Sequence, residues 1–437
     1  MDKMVDNDNR DLIEMDRRHV WHHLSQHKKY ETADPMLMVE GRGMRVWDAA
    51  GREYLDAVSG GVWTVNVGYG RESIANAVRD QLARINFFSH SAGSEANEKV
   101  YKMVRQMAHA RHGGGKYKIL YRERDYHGTT ITALSSGGQD ERNAQYGPMT
   151  PGFVQVPHCL EYRRQYADGD YAAQCAAAIE EIIQREGPET IGAMVLEPVT
   201  AGGGVILPPD GYWPRVQELC RKYDILLHID EVVCGFGRAG AWFAYQDYGI
   251  EPDFVTMAKG VASGYAAIGC MVTTEEIFAR FKDRPDDPMN YFRDISTFGG
   301  CTAGPAAALE NMRIIEEENL VENSRKTGAH LLGLLHGLQA RHGAIGDVRG
   351  KGLFIGAELE TDRASKQPAP EAQVQAVVAN CMRQGVIVGA TNRSLAGFNN
   401  TLLLAPPLIC TEKDAEQIAG AIDKALAEEF AGSRKAA

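Results

Sequence analysis

The chain has 437 residues, 44% of them hydrophobic and 24% charged, which is an ordinary globular composition for roughly two or three domains. Its 47 Lys and Arg against 58 Asp and Glu give a net charge of −11 without a basic block, which disfavours nucleic acid and anionic membranes as partners. The eight cysteines form no C-x-x-C pair, and no apolar stretch approaches the ~20 residues that span a bilayer, so we expect a cytoplasmic protein without a metal site.

Taken in chain order, the first predicted elements are hairpin strands over residues 38–47 and 54–58. They could join a smaller domain or stand alone. Further along, helical patterns at 171–185 and 213–223 alternate with short apolar runs at 117–121, 191–196, 225–229 and 254–257. Strands separated by helices predict right-handed βαβ units and a mostly parallel sheet with helices on both faces.

The last third of the chain has a different sequence pattern. Residues 347–359 and 402–404 have strand patterns, and long amphipathic helices lie between and after them. The expected fold class is therefore α/β, with a large domain over residues 61–310. A smaller α+β domain would combine the N-terminal segment 1–60 with residues 311–437.

Two predicted strands run directly into residues that can carry chemistry. The strand ending in LLHI is followed by Asp230 and Glu231, and the strand FVTM is followed by Ala258 and Lys259. The carboxyl ends of strands in an open α/β sheet form the ligand site. A carboxylate and an amine at one crevice suit a lysine nucleophile or Schiff base, with the acid holding a cationic ring nitrogen. The alternative is a solvated aspartate and a surface lysine.

Two further segments could complete such a site. Gly93 and Ser94 precede a helix, where free N–H groups bind phosphate; the alternative is an ordinary N-cap by Ser94. Tyr126 and His127 follow the strand YKILY and offer an aromatic face and an imidazole to a flat cofactor. The alternative there is a turn packed by Tyr126.

The stretch 235–240 is a literal G-x-G-x-x-G, and Asp253 follows it, as in a dinucleotide-binding fingerprint. The context disfavours that function. Residues 230–234 separate the strand from the glycines, and Asp253 precedes the second strand instead of ending it.

Together these segments resemble the class III (omega) aminotransferases, which are fold-type I enzymes that use pyridoxal 5′-phosphate (PLP). The resemblance extends over nearly the whole chain and is most specific in IDEV and MAKG. The segments that carry it are HVWHHLSQHK (19–28), SGGVWTVNVGYGR (59–71), GSEANEK (93–99), RDYHGTT (124–130), GGQDERNAQYGP (137–148), EPVTAGGG (197–204), LLHIDEVVCGFGR (226–238), PDFVTMAKGVASGYAAIGC (252–270), RDISTFGG (293–300) and GDVRGKGLF (346–354).

The resemblance implies a role for each matching residue. Lys259 would bind PLP covalently, and Asp230 would pair with its ring nitrogen. The ring would lie between Tyr126 and Val232, and Trp63 would line the substrate pocket. The remaining cofactor-binding positions would be Gly93, Ser94, His127, Glu197 and Thr297. Thr297 would reach the phosphate of a neighbouring subunit, which implies a homodimer or tetramer with its active site at the interface.

The resemblance also implies the substrates. VWTVNVGYG is typical of the amine–pyruvate subgroup, and HVWHHLSQHK with GGQDERNAQYGP indicates taurine as the donor and pyruvate as the acceptor. Other ω-amines such as β-alanine, hypotaurine or a diamine are the alternative donors. A lyase, an aminomutase, a non-catalytic binding protein and a dinucleotide oxidoreductase are alternatives of other classes.

Family members with α-carboxylate donors carry a glutamate in the loop after Glu197, where it can offset an arginine. Here that loop, 200–204, has no acid, so the donor's amine should lie away from an α-carboxylate. A cation is still needed for the sulfonate and for pyruvate. Arg393 is our hypothesis, because a planar guanidinium suits both anions; the alternative is a solvated loop arginine.

One departure from the family concerns the junction between Ala92 and Gly93. The family has a helix and a strand here, whereas in this chain FFSHSA runs directly into GSEAN. Either the deletion is real or a segment is missing from the printed sequence, and we favour the second. Losing a strand would uncover the edge of its neighbour and misplace the phosphate turn.

Overall fold

The computed structural model describes residues 13–17, 28, 30, 33–86, 96–284, 286–294, 296–391 and 399–430. The strands are β1 (Met38–Arg42), β2 (Arg45–Asp48), β3 (Glu53–Asp56), β4 (Lys118–Arg122), β5 (Phe153–Val156), β6 (Ile191–Leu196), β7 (Leu226–Asp230), β8 (Phe254–Met257), β9 (Cys270–Thr273), β10 (Ile345–Gly350), β11 (Ile355–Asp362), β12 (Gln367–Pro368), β13 (Val386–Ile387), β14 (Gly389–Ala390) and β15 (Thr401–Leu404). The helices are α1 (Glu72–Arg84), α2 (Ala96–His112), α3 (Ile131–Leu134), α4 (Asp140–Asn143), α5 (Tyr171–Glu186), α6 (Tyr212–Lys222), α7 (Ala244–Asp247), α8 (Glu275–Ala279), α9 (Ala303–Glu317), α10 (Leu320–Arg341), α11 (Glu371–Arg383) and α12 (Glu412–Glu429).

The central sheet has the order β5-β4-β6-β7-β8-β9, and its first five strands are parallel while β9 is antiparallel. All six residues of β6 are buried, as expected for a strand covered on both faces. Helix α2 packs on the sheet with Val104 and Met107, and α5 and α6 contribute Ile179 and Val216 to a separate core cluster. The predicted α/β class is confirmed.

The carboxyl-terminal part forms a second sheet, β10-β11-β15-β14, with β12 paired to β11. The long helices α10, α11 and α12 bury their apolar sides against it. The predicted single strand over 347–359 is wrong, because β10 and β11 form an antiparallel hairpin there. The chain turns at Gly352, whose φ of +59° and close approach to the Ala239 backbone exclude a side chain.

The amino-terminal segment also contains one more turn than the sequence suggests. The predicted strand 38–47 turns at Gly43 into β1 and β2, which pair antiparallel. β3 then pairs in parallel with β13, through Leu55 and Val386. This pairing joins the amino-terminal hairpin to carboxyl-terminal residues. The domain boundaries at 60 and 310 remain a prediction.

Within the residues that the structure describes, β9 is an edge strand of the central sheet. Its Val272 side chain is 53% exposed. An uncovered strand edge with an apolar side chain is what loss of a neighbouring strand would produce. The junction of Ala92 and Gly93 itself lies outside the described residues. Among the helices described, none combines the length and apolar character that crossing a bilayer would require.

Candidate active site

Asp230 ends β7 in the middle of the sheet and is only 3% exposed. Its Oδ2 accepts hydrogen bonds from Asn97 Nδ2 at 2.9 Å and from the His127 ring at 2.8 Å, and its Oδ1 accepts from the Val232 N–H at 3.0 Å. Burial by itself would raise the pKa of Asp230, but the hydrogen bond and charge of His127 outweigh it, and the pKa is lowered. The residue is therefore a buried carboxylate, not the solvated one of the alternative interpretation.

Lys259 follows β8, which is the neighbour of β7 in the sheet. Its φ of +38° places it in the left-handed region, a strained position for a residue with a side chain. Burial lowers the pKa of Lys259, although the charges of Asp230 and Glu197 partly oppose the shift. Within the described residues its amine makes no hydrogen bond. A lysine with a depressed pKa has more of the neutral, nucleophilic form than an exposed one.

Glu197 connects the ends of β6 and β4. Its two oxygens accept from the backbone N–H groups of Tyr126 and Ala201, both at 3.0 Å. Burial and the nearby charges of Asp125 and Asp230 raise the pKa of Glu197. The backbone of Glu197 is held in turn, because its N–H donates to Asp125 at 3.0 Å. These bonds fix the backbone beneath Tyr126, so that the position of its ring is set by the sheet.

Tyr126 and Val232 are both half-buried, and they follow β4 and β7. Trp63 lies in the turn Ser59–Trp63 with φ +59°, and its ring meets that of Phe354 edge-on at 6.0 Å. The Trp63 side chain packs against a core cluster that includes Val199 and Ala201, from the loop that follows Glu197. Tyr126, predicted to stack on the ring, and Trp63, predicted to line the substrate pocket, are thus both near the segment that begins at Glu197.

Three predicted site residues, Gly93, Ser94 and Arg393, lie outside the described residues. Thr297 begins the short helix Thr297–Gly300, and its side chain is outside the described part as well. Of the other predicted residues, Trp63 lies in the turn Ser59–Trp63 and Asp230 ends β7. The remaining five follow the carboxyl ends of the neighbouring strands β4, β6, β7 and β8: Tyr126, His127, Glu197, Val232 and Lys259. Their roles toward a cofactor remain predictions.

Two residues that sequence reasoning missed also belong to this region. Asn97 lies in the first turn of α2, donates to Asp230 and donates to the His127 carbonyl at 2.6 Å. Its position in the quoted segment GSEANEK was the available signal. Arg142 lies on α4, with its guanidinium carbon 4.1 Å from the centre of the Tyr126 ring. It lies in the quoted segment GGQDERNAQYGP, but no local pattern singled out the arginine.

The glycine motif at 235–240 does not form a dinucleotide turn. No helix begins directly after it, since α7 starts at Ala244. Asp253 lies at the opposite end of the sheet strands, where it accepts from the Leu227 N–H at 2.7 Å. Close packing explains the glycine at position 237, because a Cβ there would lie 2.7 Å from the Leu408 side chain. The structure supports the view that this motif is a chance match.

The residues present fit PLP. A carboxylate offers about four lone-pair sites and Asp230 receives three donors, so it can accept one more from a protonated ring nitrogen. His127 Nε2 is buried, and it has no hydrogen-bond partner among the residues described. The unbonded amine of Lys259 lies on the adjacent strand end, where it can reach an aldehyde.

Comparisons with known proteins agree with this chemistry. The model of the family described as "Aminotransferase class-III" matches residues 84–426. The chain is 64% identical to the hypotaurine/taurine–pyruvate aminotransferase of Paracoccus denitrificans, with 97% of this chain and 98% of the relative covered. It is 61% identical to the taurine–pyruvate aminotransferase of Rhodobacter capsulatus, with 95% and 96% covered. The alignment with the Paracoccus protein runs over 452 positions, more than the 437 residues here, so that protein has residues without a counterpart in this chain.

Solved structures give the same picture. An aminotransferase from Bacillus anthracis has a TM-score of 0.91 at 34% identity, with 96% of this chain and 98% of that chain covered. An (S)-enantioselective omega-transaminase from Thermomicrobium roseum has a TM-score of 0.89 at 34% identity, with 97% and 99% covered.

Proposed function

Because this chain belongs to the class III aminotransferase family, whose members are PLP-dependent, we propose that it transfers the amino group of taurine to pyruvate, giving sulfoacetaldehyde and L-alanine. The observation that carries the chemistry is the placement of Asp230 and Lys259 at the carboxyl ends of the paired strands β7 and β8. The choice of taurine is supported by relatives of that name at 52–64% identity over nearly the whole chain.

PLP, when bound, supplies an aldehyde for the amino group and a ring that accepts electrons from the carbon next to it. Asp230 would hold the ring nitrogen in its protonated form, because its own pKa is low and its charge is fixed by Asn97 and His127. Tyr126 and Val232 would enclose the two faces of the ring, and Gly93, Ser94 and Thr297 would hold the phosphate.

Lys259 would do the proton transfer. Its amine would take the proton from the donor carbon that bears the amino group. In the second half-reaction the same amine would deliver a proton to the former carbonyl carbon of pyruvate. Because burial lowers its pKa, more of this amine is neutral and able to accept a proton than in an exposed lysine. One residue can serve both halves because the two substrates occupy the site in turn, as a ping-pong mechanism requires.

The same alternation constrains substrate recognition. Taurine and pyruvate each bring one anionic group, a sulfonate and a carboxylate, to a site that they occupy one after the other. A single cation can therefore serve both. Arg393 remains one proposed residue for this role.

We further propose a homodimer or tetramer in the cytoplasm, with the active site at a subunit interface. Exposed large apolar side chains support an interface, since Phe298, which follows Thr297, is 78% exposed and Leu309 is 67% exposed. All eight cysteines are unpaired, which suits a reducing compartment. Sedimentation or light scattering of the purified protein tests the assembly.

A donor panel tests the proposed activity. The purified holoenzyme should be yellow, and its visible band should shift when taurine is added and return when pyruvate follows. Alanine should form in equal amount to sulfoacetaldehyde. Hypotaurine, β-alanine and a diamine are the comparison donors, the first because the name of the Paracoccus relative includes it. Failure of taurine to shift the band or to yield alanine would exclude the proposed donor, and release of ammonia without alanine would indicate a lyase.

A further inference from the structure

Arg142 lies over Tyr126 at the β4 side of the site. It is on the one-turn helix α4, and its guanidinium carbon is 4.1 Å from the centre of the Tyr126 ring. At this distance the cation is in contact with one ring face, which leaves the opposite face for another flat group. The side chain is half-buried, so it is neither a solvated surface arginine nor a core residue.

The Arg142 side chain is held in place by Gln139. Arg142 Nε donates to Gln139 Oε1 at 2.8 Å, and Gln139 Nε2 donates to the Arg124 carbonyl at 3.0 Å. Gln139 is fully buried, and a Cβ on Gly202 would lie 3.0 Å from its amide nitrogen. One edge of the guanidinium is thus oriented by a buried amide. Its two terminal nitrogens, which form the planar fork suited to an oxyanion, are not used in these bonds.

The charges that act on this guanidinium include residues of the candidate site. Burial lowers the pKa of Arg142, while Tyr126, Glu141 and Glu197 act against the shift. Arg142 is also one of the charges that lower the pKa of the Lys259 amine. The contact with Tyr126 places this guanidinium beside the residues of the candidate site.

Among the residues that the structure describes, no carboxylate lies within ion-pair distance of this guanidinium. Across the described ranges of the chain, Arg142 forms no ion pair. Glu197 accepts from two backbone N–H groups and Glu141 accepts from Asn399, and neither is hydrogen-bonded to Arg142 in the described residues. The loop 200–204 that packs against Gln139 contains no acid. Partly burying an unpaired cation is unfavourable unless an anion joins it, so the arrangement indicates an anionic ligand.

We propose that Arg142 binds the anionic group of each substrate in turn, the sulfonate of the amino donor and the carboxylate of the keto acid. The inference rests on the proposed function for the identity of these substrates. It assigns to a described residue the role that the sequence had given to Arg393.

The test compares R142Q and R142K with R105Q and R393Q in the holoenzyme. Arg105 is the matched control, because it is also half-buried, lies within 6 Å of two aromatic rings, and donates to the Pro151 carbonyl far from the site. The measurements are KM for taurine and pyruvate, KM for propylamine as an amine without an anionic group, and inhibition by ethanesulfonate and propionate. The visible band and the apparent Tm report cofactor binding and folding.

R142Q should raise KM for taurine and the inhibition constant of ethanesulfonate by about tenfold or more, since a hydrogen-bonded charge pair is lost. KM for propylamine, the visible band and the Tm should stay within twofold or a few degrees of wild type. R142K should recover part of the loss, and R105Q should behave as wild type.

Three outcomes would overturn the inference. The first is an unchanged taurine KM in R142Q, above all if R393Q shows the loss instead. The second is an equal loss with propylamine, which would mean that Arg142 only supports Tyr126. The third is the same loss in R105Q. If wild type fails to use taurine, the proposed function fails separately. Inhibition of propylamine–pyruvate transamination by the two inert anions then still tests Arg142.

Discussion

Replacing Asp230 with asparagine is the sharpest test of the site, because it removes one charge and almost no volume. In the native protein Oδ2 accepts from both Asn97 and His127, and Oδ1 accepts from the Val232 N–H. An asparagine amide has one acceptor oxygen and one NH₂ group. If the oxygen faces Asn97 and His127, the NH₂ meets the Val232 N–H; if it faces Val232, the NH₂ meets the other two donors. Either orientation leaves a buried donor without an acceptor, at about 1–3 kcal/mol.

The larger effect concerns the ring nitrogen of PLP. Removing one partner from a buried charge pair costs about 3–5 kcal/mol, which corresponds to a fall in kcat/KM of about 10²- to 10⁴-fold. The assay is alanine formation from taurine and pyruvate, with the visible band as the measure of bound cofactor. Asp253→Asn is the matched control, because Asp253 accepts from a backbone N–H at the far end of the same strands. A D230N variant with kcat/KM within about tenfold of wild type would refute the proposed role of Asp230.

The remaining predictions concern the lysine, a buried glutamate and the chain junction. Lys259→Ala should still bind PLP, seen as an altered visible band, but should give no steady-state alanine, and measurable turnover would contradict its assignment. Burial raises the pKa of Glu231 to about 8. The native state then keeps a proton that the unfolded chain releases above about pH 4.5, so stability falls by about 1.4 kcal/mol per pH unit as pH rises through this window. In thermal unfolding, Glu231→Gln should therefore gain Tm over wild type at pH 8 and little at pH 5; an equal gain at both would be inconsistent with this account. If the deletion at the Ala92–Gly93 junction is real, the intact mass will be 48.0 kDa, and a missing strand and helix will appear as a larger mass.

The parts of the site that could be predicted from the sequence are those with a local signal. Asp230 and Lys259 each follow an apolar strand directly, and β7 and β8 begin and end within about one residue of the predicted runs. Because a parallel sheet collects the carboxyl ends of its strands at one edge, these two positions could be placed in one crevice without coordinates.

The parts that could not be predicted depend on contacts between distant segments. Asn97 and Asp230 are 133 positions apart in the chain, and no periodicity in the sequence predicts the hydrogen bond between them. The strands β3 and β13 pair through Leu55 and Val386. The alternation of apolar and polar residues along either strand does not specify which strand it pairs with. The hairpin at Gly352 was missed for a related reason. Its glycine is required by the approach of the Ala239 backbone, which belongs to another part of the fold.

The order of the strands explains why the anion should be received on the β4 side. The neighbouring strands β4, β6, β7 and β8 deliver Tyr126, Glu197, Asp230 and Lys259 in one row along the sheet edge. The row stops at Lys259, because β9 is antiparallel and sends its carboxyl end to the opposite edge. At the β4 end the chain continues beyond Tyr126 into α4, which brings Arg142 back over the tyrosine ring. Arg142 therefore lies over the residue that begins the row, on the β4 side of the candidate site.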